Sequence, residues 1–122
     1  MECDSAKQLQ VSESYKSNSA LKKVTKQVHQ SKFAMKNLED IKQKLREGKN
    51  PMEIGHDSIN LGNGFYYIRK KYTRTVIKID SVTGNSDIVA CGFRSDRQNM
   101  KKLADVVNSQ YDTKIEIDRN SY

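Results

Sequence analysis

The chain has no tryptophan, a single proline, and only two cysteines and two histidines in 122 residues. Each shortage removes a class of chemistry. Cys3, Cys91, His29 and His56 are too widely spaced for a recognisable zinc pattern. The same spacing gives no support for a disulfide framework. Cys91 falls in an apolar run and reads as a small buried hydrophobe. No apolar run approaches the ~20 residues that a spanning helix needs. The first ten residues, MECDSAKQLQ, contain no apolar core of a signal peptide. No G-x-x-x-x-G-K-[ST] loop and no G-x-S-x-G elbow occur. Gly62-Asn63-Gly64 precedes a strand rather than a helix, so it reads as a turn. Asp57, Asp80, Asp87 and Asp96 are scattered, and no HExxH or paired-aspartate motif calls for a catalytic metal. No cofactor is expected.

What is present is positive charge. Lysine and arginine number 22 against 15 acidic residues, which gives a net charge of +7. Mean hydropathy is −0.84 and the pI is near 9.4. Such a surface attracts nucleic acid, anionic membranes or acidic proteins, or it is simply solvated. The length favours one domain.

Residues 1–18 are polar and read as a flexible leader, with a short helix around Lys7–Val11. Residues 19–122 read as a single α+β domain. Leu21, Val24, Val28, Met35, Leu38 and Leu45 recur at helical spacing, with Ser19 as N-cap and Gly48 and Pro51 as the stop. The segment 20–47 is long enough that a break near Gln30–Ser31 is expected. Residues 48–63 read as a connector with a short helical turn at Pro51. Three strands follow: Phe65–Lys70, Thr73–Ser81 and Asp87–Phe93. A helix runs from a Ser95-Asp96 cap to about Gln110, and a last strand covers Lys114–Asp118. The expected architecture is N-terminal helices packed on an antiparallel sheet of about four strands, with one helix between the last two strands.

The cations cluster in and around the strands. Lys78 and Arg94 are expected on one side of neighbouring strands, with Arg74 close by. Arg69, Lys70, Lys71, Tyr66 and Tyr67 are expected to contact RNA, the tyrosines by stacking. His56 precedes the sheet, and imidazole is the side chain type suited to proton transfer near neutral pH. These residues fit metal-free RNA cleavage. The substrate supplies its own 2′-OH nucleophile, an imidazole moves the proton, and cations stabilise the phosphorane. His56, Lys78, Arg94 and Arg74 are the candidate catalytic set. The competing readings are a nucleic-acid-binding domain that cuts nothing, and an interaction module whose basic face meets an acidic protein. His29, next to Val28 on the long helix, reads as a surface or boundary residue.

The element order and several local strings also resemble a known group. The strings are Lys44-Leu45-Arg46-Glu47-Gly48-Lys49-Asn50-Pro51, Gly64-Phe65-Tyr66-Tyr67-Ile68-Arg69, Val76-Ile77-Lys78-Ile79-Asp80 and Thr83-Gly84. Over roughly residues 38–118 the chain resembles the ribonuclease toxin superfamily that includes barnase, colicin-type tRNases and RelE-type toxins. Within it, the likeness is to C-terminal toxin domains of contact-dependent inhibition and other polymorphic toxins. The resemblance implies a metal-independent ribonuclease acting on tRNA or other RNA. It implies neutralisation by an acidic cognate immunity protein, and delivery by a larger secreted toxin into the target-cell cytoplasm. The roles carried over are those of His56, Lys78, Arg94 and Arg74. The chain has no second histidine near the sheet, which departs from a two-histidine acid/base scheme.

Overall fold

A computed structural model describes residues 9–115. It shows an α+β fold with a five-stranded mixed sheet in the order β1-β5-β4-β3-β2. The strands are β1 (Val11–Ser12), β2 (Asp57–Gly62), β3 (Phe65–Lys70), β4 (Thr73–Ile79) and β5 (Ser86–Phe93). The helices are α1 (Ser19–His29), α2 (Lys32–Arg46) and α3 (Arg97–Tyr111). Strands β2 to β5 form an antiparallel meander, and β1 pairs parallel with β5.

The long helical segment breaks where its polar residues interrupt the stripe. Asn18 caps α1 by accepting from the amides of Ala20 and Leu21, and Ser31 caps α2 by accepting from Ala34. The cap therefore falls one residue before the expected Ser19. Gly48 follows α2 at φ +78°, the left-handed stop that glycine adopts freely. The turn at Pro51 is a 3₁₀ turn over Pro51–Glu53.

The two faces of the sheet carry different cover. Strand pairing puts Arg69 beside Arg74, and Arg74 beside Gly92. A Cβ on Gly92 would sit 2.8 Å from Met100 Sδ and 3.4 Å from Val24, so α3 and α1 press on this face. The rings of Phe65 and Tyr111 meet there at 5.2 Å. The opposite face carries Ile68, Lys70, Thr75 and Cys91, and α2 lies against it. There Lys70 Nζ meets Asp40 at 2.6 Å. Leu38, Ile41, Ile68, Val76, Ile77 and Ile88 are fully buried between these layers. Cover on both sides explains why β4 is buried over five successive residues, Thr73 to Ile77.

Several expectations are corrected. The connector over 48–63 contains a full strand, β2, joined to β3 by Asn63 and Gly64, both at positive φ. The helix expected around Lys7–Val11 is replaced in its described part: Val11 and Ser12 pair with Ser86 and Asp87. The amide of Ser86 donates to Gln10 O at 2.9 Å, and Tyr15 is buried in the core. Residues 9–18 thus pack on the fold, and Ser19 marks no edge of it. Val76 pairs with Ala90 and Ile77 with Ile88, so Val89 forms a bulge. Ile88 therefore shares the face of Cys91, not the face of Ala90. Among the described residues α3 follows the last strand. Of the strand expected at Lys114–Asp118, the last three residues lie outside the described residues. Ile115 is not in a strand: its amide donates to Asn108 Oδ1 at 2.7 Å, and its carbonyl accepts from Asn108 Nδ2 at 2.9 Å.

Candidate functional site

The β3–β4 hairpin gathers most of the candidate residues at one end of the sheet. Lys70 and Thr73 close the ladder, leaving Lys71 and Tyr72 as the turn. Lys71 takes φ +53°, a left-handed conformation that a lysine rarely adopts. The Lys71 amide donates to His56 Nδ1 at 3.3 Å, and the His56 amide donates to Arg69 O at 3.0 Å. Across the tip, the Arg94 amide donates to Tyr72 O at 2.9 Å. His56, Lys71, Tyr72 and Arg94 are all exposed here. These bonds bring residues from three separate segments of the chain to the hairpin tip.

The hydrogen bond fixes the role of the imidazole. With Nδ1 accepting, the neutral ring carries its hydrogen on Nε2, which stands ready to donate. As it stands, Nε2–H can donate a hydrogen bond to an anionic oxygen, whereas giving up a proton requires the imidazolium, in which Nδ1 also carries hydrogen and no longer accepts from Lys71. Service as a base through Nε2 requires the other tautomer.

The remaining candidates divide. Arg69 pairs with Asp57 through its guanidinium and also donates to the Asp57 carbonyl at 3.0 Å. Arg74 is 2 % exposed and donates through Nη1 to the carbonyls of Lys71 and Thr73 at 2.9 and 2.8 Å. Burial holds the Arg74 pKa below its ordinary value, and the nearby charges of Arg69 and Arg94 add to this against Tyr67 and Asp57. Both arginines are therefore sealed in the sheet, and neither faces solvent. Tyr67 is buried and Tyr66 half-buried. The basic sheet face expected from strand alternation is covered.

Lys78 is the outlier. It pairs in register with Phe65 and Asp87, at the opposite end of β4 from Arg74 and the hairpin tip. Its ammonium lies 5.4 Å from the centre of the Phe65 ring. The Asp87 carboxylate is engaged by Ser12 Oγ and the Ser14 amide, each at 2.8 Å. Lys78 and Arg94 share a face by alternation, but six residue steps of ~3.3 Å separate their levels along the sheet.

Beside the hairpin tip lies a groove of about 790 Å³ between the N-terminal half of α2 and the ends of β3, β4 and β5. Its walls include Phe33, Lys36, Asn37, Lys71, Tyr72 and Phe93. Phe33 is 82 % and Tyr72 71 % exposed, unusual for rings of this size. Sequence reasoning took Phe33 into a widened apolar stripe of the long helix and treated Tyr72 as a turn residue. Phe33 stands off the main apolar stripe of α2, and Tyr72 sits at a hairpin tip, where no packing partner is available. Both placements were signals.

Among the described residues no group of three or more His, Cys, Asp or Glu side chains could hold a metal ion, and no helix is long and apolar enough to cross a membrane. Cys91 is free and buried beside Thr75, and burial pushes its thiol up to about 11. Cys3 lies outside the described residues. The chain matches no protein-family model, no curated protein and no solved structure.

Proposed function

We propose that this chain binds RNA at the β3–β4 hairpin end. One observation carries the reading: exposed Lys71 and Arg94 both adjoin exposed Tyr72 at the hairpin tip, Lys71 in the chain and Arg94 through its amide bond to Tyr72 O. Cations in a fixed array neutralise successive phosphates and release their counterions. Exposed rings beside them offer stacking surfaces to unpaired bases. The net charge of +7 supports association with a polyanion from any direction. The test is binding of a labelled single-stranded RNA by the wild type and by the Lys71→Ala/Arg94→Ala double variant, across a salt series. A lower affinity with a shallower salt dependence supports the reading. Identical curves overturn it.

A second reading, metal-independent cleavage of tRNA or other RNA by 2′-OH attack, is favoured by His56. It is exposed, adjoins Lys71, and presents Nε2 outward from its hydrogen bond. In this reading His56 handles the proton and Lys71 and Arg94 stabilise the charge on phosphorus, with Arg74 holding the hairpin. The toxin resemblance belongs to this reading, together with delivery by a larger protein and an acidic immunity protein covering the same cations. Its test is incubation with total bacterial RNA in EDTA, read on a denaturing gel beside His56→Ala.

A further inference from the structure

We propose that the groove between α2 and the β3–β4 hairpin is a base-recognition subsite, which seats an unpaired base of a single-stranded RNA. The inference rests on the RNA-binding reading and names what that site reads. It starts from Asn37. This residue lines the groove and is only 7 % exposed, yet among the described residues its amide has no hydrogen-bond partner. The amide keeps contact with solvent in the groove and is open to a ligand. Neighbouring polar groups do not engage it. Asp40 is engaged by Lys70 at 2.6 Å and Lys44 at 3.2 Å, and Ser31 caps α2. The Asn37 amide offers one donor and one acceptor edge to whatever enters the groove.

An unpaired base fits that edge, adenine among them. The N6 amine of adenine donates and its N7 or N1 accepts, so one asparagine amide can hold it by two hydrogen bonds. The walls supply the rest. Phe33 and Tyr72 are exposed rings on either side, and Phe93 is a half-buried ring on the sheet. Lys36 and Lys71 stand at the rim for the flanking phosphates. An acidic peptide would satisfy the lysines but would leave the amide and rings without a planar partner. A double helix would not reach the amide, because its bases are stacked and paired inside.

The experiment measures anisotropy of a labelled eight-nucleotide oligo(A) against the same strand with its bases removed at the central positions. Wild type, Asn37→Leu and Tyr72→Ala are compared, with thermal melting to check folding. Asn37→Leu keeps the side-chain volume, and Tyr72→Ala alters only an exposed ring. The proposal expects oligo(A) to bind at least about tenfold tighter than the abasic strand. Both variants should shrink that ratio while leaving the salt dependence unchanged. Equal affinity for the two strands overturns the subsite and leaves the phosphate-binding reading standing. An unchanged ratio in Tyr72→Ala overturns it also, even if Asn37→Leu fails to fold. No binding of either strand at low salt overturns both readings. A poly-glutamate peptide binding as tightly as oligo(A) would assign the groove to an acidic protein and overturn the subsite.

Discussion

The buried guanidinium of Arg74 is bonded to the carbonyl of Lys71 at 2.9 Å, three residues back across the hairpin turn, and among the described residues has no carboxylate partner. Its Nε is buried without a hydrogen bond. A cation of this kind holds the turn in shape but stays incompletely compensated. Two substitutions should separate these effects. Arg74→Ala leaves a cavity and frees the turn carbonyls, and should lower stability by roughly 2–4 kcal/mol. Arg74→Met keeps the stem and removes the charge, and should stay within about 1 kcal/mol of wild type. Urea denaturation of the two variants is the measurement. Equal losses would show that the charge itself stabilises the fold.

Lys78 should prove dispensable for RNA binding. It stands at the far end of β4, over the Phe65 ring, away from Lys71 and Arg94. Lys78→Ala should change affinity at moderate salt by less than about twofold, as expected of a distant charge screened beyond ~10 Å. The Lys71→Ala/Arg94→Ala variant should lower the slope of log K against log salt by about 2, one for each lost phosphate contact. A slope change in Lys78→Ala of the same size would place the contact surface at the wrong end of the sheet.

His56→Ala distinguishes binding from cleavage. If the chain cuts RNA, the variant should lose cutting by about 10²-fold or more, the usual share of a positioned proton-transfer group. Its RNA affinity should hardly move, since Lys71 and Arg94 keep their places. The gel in EDTA reads the first effect, and anisotropy reads the second. Intact RNA at high protein excess leaves binding as the function.

The parts of this fold that the sequence made legible are the local ones. Apolar spacing on Leu21, Val24 and Val28 placed α1, and Gln30–Ser31 placed the break before α2. Val76, Ile77 and Ile79 placed β4. The illegible parts depend on distant partners. Strand β1 is two residues long and exists only because Ser86 and Asp87, over seventy positions away, pair with it. Strand β2 had a local signal in Asn63-Gly64, but its polar Ser58 and Asn60 read as loop. Alternation put Arg74 and Lys78 on one face of β4, as the register has them. It could not say that the face is covered, because cover is a property of the packed whole. His56 and Lys71 were legible one by one. Their hydrogen bond was not, since it follows from β2 lying against β3.

The N-terminal segment should report its packing through pH. The Glu13 carboxylate accepts from Tyr15 at 3.0 Å, and ammonium groups of Lys16 and Lys42 lie at 3.1 and 3.4 Å. Burial works to raise its pKa, but the bonds from Lys16 and Tyr15 and the charge of Lys42 leave it below its ordinary 4.5. A depressed carboxylate stabilises the fold above its unfolded value and loses that contribution as pH falls through the folded one. Glu13→Gln should therefore be less stable than wild type near neutrality by under about 1 kcal/mol. The gap should close as the pH falls below 4.5. A gap independent of pH would mean that the carboxylate charge plays no part in holding this segment.

Lys71 tests whether the hairpin tip is built for stability or for a partner. At φ +53° the left-handed backbone disfavours a side chain with a Cβ, and glycine adopts it without that penalty. The Lys71 amide donates to His56, a bond that glycine would keep. The Arg74 contact uses only the Lys71 carbonyl, so it too survives. Lys71→Gly should thus raise stability by about 0.5–1 kcal/mol, the strain relieved being partly offset by the freer unfolded chain. It should also weaken RNA binding, because the exposed ammonium is gone. A variant that is more stable and binds less well would show a residue held in an unfavourable conformation for the sake of its charge. A variant that is less stable would mean that the lysine stem packs on the tip, and the strain would then carry no message about function.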